Sequence, residues 1–166
     1  MDGVKDPRRT AGLAAALKYL VLALFVGLLA YEALGGRVSA ATFDEVSAAV
    51  TDAAELAPMS LGGNQMLRRL YGLEPEDYDG VLLYYPTSSM SVEELLVLKL
   101  SDTAQRDAVE SALQARVASQ IASFEGYGPD QVAMLEKSVI EVRGNYALLV
   151  VAEDTASVLR AFENAL

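Results

Sequence analysis

Apolar and polar positions fall into three kinds of pattern along the chain. From Tyr19 to Tyr31 the residues read YLVLALFVGLLAY, with no charge and no polar face, which is the pattern of a helix in a membrane or under a targeting role. Helical periodicity follows in Phe43, Val46, Ala49, Val50, Ala53 and Ala54, introduced by Thr42-Phe43-Asp44-Glu45, which reads as a capping box. Pro58 and Gly62-Gly63 break this pattern. Asn64 then starts a short helix carrying Met66, Leu67, Leu70 and Tyr71, with Gly72 as its stop. After an acidic turn, Val81 to Tyr85 run apolar to Pro86, as a strand covered on both faces would, and Leu95 to Leu100 resume extended structure with Lys99 at an exposed end. Val109, Leu113, Val117, Ile121 and Phe124 predict a long helix over 102–124. A helix opening at Pro129 follows, then strands Val139–Arg143 and Tyr146–Ala152 joined at the two-residue turn Gly144-Asn145. A last helix is capped by Asp154 or Thr155 and directs Val158, Leu159, Phe162 and Leu166 inward. The expected fold is α+β: an N-terminal transmembrane helix, then one domain with a four-stranded, mostly antiparallel sheet and helices on one face.

The apolar run sets the expected domain organisation. Residues 1–12 form a basic cytoplasmic flank, 13–34 a transmembrane helix or signal peptide, 35–41 a linker and 42–166 an extracytoplasmic domain. Residues 13–34 would make a helix of about 33 Å, enough for a bilayer core, with Lys18 and Glu32 near its ends. The competing expectation is secretion after cleavage near Ala40, where Val38-Ser39-Ala40 supplies small residues. In both cases the basic side stays in the cytoplasm and the C-terminal part lies outside.

Charge divides at the same place. Residues 1–35 hold four basic and three acidic side chains, whereas 36–166 hold nine basic and twenty acidic. So acidic a domain disfavours nucleic acid as a partner, since phosphate binding needs a basic patch. The chain has no cysteine, which excludes a disulfide framework, a thiolate metal site, a cysteine nucleophile and a lipid attached through that residue. It has no histidine either, which removes the usual triads and the commonest general base. Gly126-Tyr127-Gly128 fails the dinucleotide pattern and reads as a helix stop. Glu74, Glu76, Asp77 and Asp79 lack the spacing of a calcium loop and read as a solvated turn. No cofactor, metal site or catalytic residue is expected.

One stretch combines rings and hydroxyls at a strand end: Tyr84, Tyr85, Ser88 and Ser89 are the candidate ligand-binding residues, against packing in the core as the plainer reading. The functional expectation is a non-catalytic binding or scaffolding protein of the cell envelope. It would be held in the lipid bilayer through 13–34 and meet an unknown protein or cell-wall partner. The alternatives are an envelope hydrolase using paired carboxylates, and an accessory subunit of a membrane complex.

Four stretches taken in order carry a family likeness: Leu70-Tyr71-Gly72-Leu73, Glu94-Leu95-Leu96-Val97-Leu98-Lys99, Arg116 to Gln120 leading into Ser123-Phe124-Glu125-Gly126-Tyr127, and Arg143-Gly144-Asn145-Tyr146. Together they resemble the domain of unknown function family 4358, found in exported proteins of Gram-positive bacteria, over residues 42–166. The resemblance implies an extracytoplasmic domain held at the cell membrane. Lipoprotein-like members are common in that family; this chain, lacking the cysteine, would depend on its helix instead. No catalytic residue comes with the likeness.

Overall fold

The computed structural model describes residues 17–27 and 38–166, which divide into two separate units at Arg37 and Val38. In the first unit, residues 17–27 are helical (α1) and their large apolar side chains are exposed. Eleven residues rise about 16 Å, and among the described residues no helix is long and apolar enough to cross a membrane. The expected span of 13–34 extends beyond the described residues.

The second unit is built on a five-stranded antiparallel sheet in the order β1-β2-β3-β5-β4. The strands are β1 (Met59–Gly62), β2 (Tyr78–Pro86), β3 (Glu94–Leu100), β4 (Val139–Arg143) and β5 (Tyr146–Val151). The helices are α2 (Phe43–Ala53), α3 (Asn64–Tyr71), α4 (Arg106–Phe124), α5 (Pro129–Glu136) and α6 (Thr155–Ala165), with single 3-10 turns at Pro75–Asp77 and Thr103–Gln105.

Two expectations about this sheet are corrected. It has five strands, because Met59–Gly62, which starts right after the expected break at Pro58 and runs into the one at Gly62-Gly63, pairs with the end of β2 from Met59↔Pro86 to Gly62↔Leu83. The helices also cover both faces. Side chains alternate along a strand. Leu96, Leu98 and Leu100 of β3 therefore meet Leu67, Val109, Leu113 and Leu135 of α3, α4 and α5. Leu95 and Val97 meet Val46 and Val50 of α2 and Val158 and Phe162 of α6 on the opposite side. The unbroken apolar runs of β3 and β5 are the direct consequence, since neither face is left to water.

Local signals explain most element ends. Thr42 and Glu45 form the expected capping box, with the Glu45 backbone N–H donating to Thr42 Oγ1 and the Thr42 N–H donating to Glu45 Oε2. Gly72 ends α3 at φ 67°, a left-handed conformation that suits a residue without Cβ. Asn64 is not a cap: Gly63 holds that position, and Asn64 opens the helix itself. The hairpin at Gly144-Asn145 forms as expected, with Arg143 opposite Tyr146. Lys99 is not at an exposed end; its Nζ donates to the Ala41 carbonyl at 3.1 Å and lies 5.4 Å from the Tyr146 ring centre. The entry segment is part of the same arrangement. The Ser39 N–H donates to Asn145 Oδ1 (2.9 Å), and Tyr146 Oη donates to the Ala41 carbonyl (2.9 Å).

Candidate functional site

Glu94 opens β3 on the face covered by α4 and is completely buried, the one acidic side chain so placed among the described residues. A buried carboxylate is costly unless donors surround it. Here three side chains supply them. Arg116 Nη2 donates to Glu94 Oε2 at 2.7 Å, and Arg116 Nε reaches Oε1 at 3.1 Å, a two-pronged fork. Gln120 Nε2 donates to Oε2 at 2.9 Å, and the Tyr71 hydroxyl donates to Oε1. Arg116 and Gln120 stand four residues apart on α4 and so share a helix face, while Tyr71 arrives from the last turn of α3.

This environment fixes the protonation of Tyr71 and Arg116. Burial, reinforced by the negative charge of Glu94, pushes the Tyr71 phenol well above its ordinary value, so it remains a donor. Burial works against the Arg116 charge, but hydrogen bonds to Glu94 and its charge more than offset that, and the guanidinium is raised. Fork geometry uses the Nε hydrogen and one of the Nη2 hydrogens. The remaining guanidinium hydrogens have no hydrogen-bond acceptor among the described residues.

Arg116 and Gln120 also line a cleft of about 290 Å³ between α3, α4 and the end of β2. Its walls include Met66, Leu70 and Phe124, and its rim carries Arg69, Tyr85 and the loop Thr87–Ser89. The sequence candidates therefore separate. Tyr85, Ser88 and Ser89 line this cleft, whereas Tyr84 points to the opposite sheet face and packs with the α2–α6 core. Adjacent strand residues cannot share a face. No acidic side chain lines the cleft, in contrast to the domain around it.

A second, larger cleft of about 380 Å³ lies on the other side of the same loop, against α5. It holds Glu93, Asp130 and Glu153 with Lys137, beside Met90, Val92 and Met134. Asp130 and Glu153 are exposed, and the Val92 N–H donates to Glu93 Oε2 at 3.0 Å. The acidic turn is engaged elsewhere: Arg68 bridges Glu74 at 2.6 Å and Glu76 at 2.7 Å on the surface. No group of three or more potential metal ligands occurs among the described residues.

The strand expected over Leu95–Leu100 leaves Glu94 outside it, and Glu94 enters the sequence reading only as the first residue of one family stretch. The available signal was a carboxylate directly before an apolar run, together with an Arg and a Gln four apart on the long helix. Three of the four stretches that carry the family likeness supply the network: Tyr71, Glu94, and Arg116 with Gln120. The fourth supplies Asn145 and Tyr146, which hold the entry segment.

No curated protein and no solved structure matches this chain. The model of one family, Domain of unknown function (DUF4358), matches residues 52–152, which contain all four members of the buried network and the whole lining of the smaller cleft. With well over half of its length matched, the chain belongs to the DUF4358 family.

Proposed function

We propose that the protein is a membrane-anchored, extracytoplasmic binding domain of the cell envelope that catalyses nothing and takes its ligand in the cleft between α3, α4 and the end of β2. The observation that carries this reading is the combination at that cleft of a guanidinium fixed from below, exposed hydroxyls and apolar walls. A few polar groups set in an apolar recess is the usual composition of a small-ligand site. Support for the location comes from the uncharged run Tyr19–Tyr31 with basic residues before it and an acidic domain after it.

Catalysis by paired carboxylates is the weaker reading. A general acid needs a carboxyl withdrawn from water; in the larger cleft Asp130 and Glu153 are exposed, and the half-buried Glu93 accepts the Val92 N–H. An accessory subunit would need a continuous apolar face. The exposed large apolar residues of the domain are four, Val38, Leu61, Met90 and Tyr127, few for such a face.

The test joins topology to binding. A phosphatase reporter that is active only outside the cytoplasm, fused after Leu166, is expected to be active. A photoreactive residue at Ser89 should then give a discrete adduct in intact cells that the same probe at exposed Glu110 on α4 does not. A reporter active only in the cytoplasm, or identical adducts from both positions, overturns the reading.

A further inference from the structure

We infer that this cleft recognises an oxyanion, a carboxylate or phosphate, joined to an apolar or ring-bearing group, with Arg69 and Arg116 as the recognising cations; this rests on the binding reading above. Three observations converge on it.

Charge is the first. Residues 36–166 carry twenty acidic side chains against nine basic ones, yet the only charged residues lining the cleft are Arg69 and Arg116. Among the described residues Arg69 forms no ion pair, although its neighbour Arg68 is engaged by two glutamates. Two guanidiniums, one of them without an ion-pair partner among the described residues, facing an acid-free recess draw in anions while the acidic surroundings repel them elsewhere.

The second is preorganisation. Glu94, fully buried, holds Arg116 through Nε and Nη2, so the guanidinium plane is set before any ligand arrives. Its side chain is 16% exposed and lines the cleft. A fixed planar fork matches a carboxylate or phosphate with little ordering cost on binding.

The third is the remaining lining. The Thr87 hydroxyl donates to the Pro58 carbonyl, and Ser88 Oγ accepts the Met90 N–H. Ser89 and Ser91 hydroxyls have no partner among the described residues and line the cleft, free to donate. Met66, Leu70 and Phe124 provide the apolar side. A cleft of about 290 Å³ is at the small end of ligand sites, which suits a single residue-sized acid.

The experiment uses the full chain in a neutral detergent and ligand-observed NMR titration with four probes: N-acetylphenylalanine, its uncharged amide, phenyl phosphate and inorganic phosphate. Saturable binding of N-acetylphenylalanine or phenyl phosphate is expected, with the amide weaker by about tenfold or more. Which of the two binds identifies the oxyanion. Arg69→Gln is on the surface and should leave the melting temperature within about 2 °C while weakening the acid at least about fivefold; Arg69→Glu should abolish binding. Equal binding of acid and amide, or no effect of Arg69→Glu, overturns the oxyanion inference while leaving a ligand in the cleft. Binding of inorganic phosphate alone, insensitive to Arg69, or of no probe, overturns it too. Failure of the binding reading is distinguished by the absence of Ser89-specific adducts in cells.

Discussion

Glu94→Ala is the most informative perturbation of this molecule. The substitution removes the acceptor on which Tyr71, Arg116 and Gln120 converge and leaves a guanidinium 16% exposed beside apolar side chains. Removing one partner of a buried pair costs about 3–5 kcal/mol, because the other charge stays behind uncompensated. Arg116 borders the cleft, and water entering there can rehydrate part of it, which favours the lower half of that range, about 3–4 kcal/mol. Against a total of about 5–15 kcal/mol for a domain this size, the variant still folds but with a much smaller margin. With a urea slope of about 1.5–2 kcal/mol per molar, the midpoint should fall by about 2 M. Far-UV circular dichroism reports it, and tyrosine emission serves as a second probe because the chain has no tryptophan. The double variant Glu94→Leu with Arg116→Met, which replaces the pair by apolar groups, should recover most of the loss. A Glu94→Ala cost under about 1 kcal/mol, or a double-mutant cycle with Arg116 showing no coupling, would refute the claim that this pair is a buried charge interaction.

Other expectations test separate parts of the structure. The raised Tyr71 phenol means that the unfolded chain gives up this proton first, from about pH 10. Its contribution to stability is therefore complete below pH 10 and declines above it by about 1.4 kcal/mol per pH unit; Tyr71→Phe should flatten that alkaline limb in urea melts between pH 9 and about 11.5. A Cβ at Gly80 would lie 2.4 Å from the Phe43 ring, so Gly80→Ala should destabilise by about 1–3 kcal/mol, and Phe43→Leu in the same chain should return part of it; a neutral Gly80→Ala melt contradicts the close approach. Asn145→Ala removes the acceptor for the Ser39 N–H and should cost about 1–2 kcal/mol, with faster protease cleavage within 38–42 as the second readout; unchanged cleavage would mean that this hydrogen bond does not hold the segment.

How much of this was legible in the sequence depended on the range of the determining contacts. Helix α4 was readable because its apolar residues recur within one element, and the capping box at Thr42 and the turn at Gly144-Asn145 because a few adjacent residues determine them. β1 was not, since four residues are too few for a period and its strand character comes from pairing with β2, twenty-odd residues away. The two-faced covering was signalled by the unbroken apolar runs of β3 and β5, but which helix lies on which face is decided by the β3–β5 pairing, Glu94↔Val151 onward. The candidate site was half legible. Tyr85, Ser88 and Ser89 came from local composition, whereas Tyr84 was lost to strand alternation, and Arg69, Arg116 and Gln120 reach the cleft only through helix packing. Glu94 was missed for a related reason: a charge at a strand start looks solvated until the helix above it is placed.

The sheet order has a consequence for behaviour at high protein concentration. Outermost strands are templates onto which foreign backbone can zip. Here the strands at the two margins are short: β1 has four residues and stops at Gly62-Gly63, and β4 has five and carries Glu141 and Arg143, the latter held by Glu163 at 2.8 Å. The strands with the longest apolar runs, β3 and β5, lie inside. Copies packed side by side would therefore find little backbone to share along either margin of the sheet.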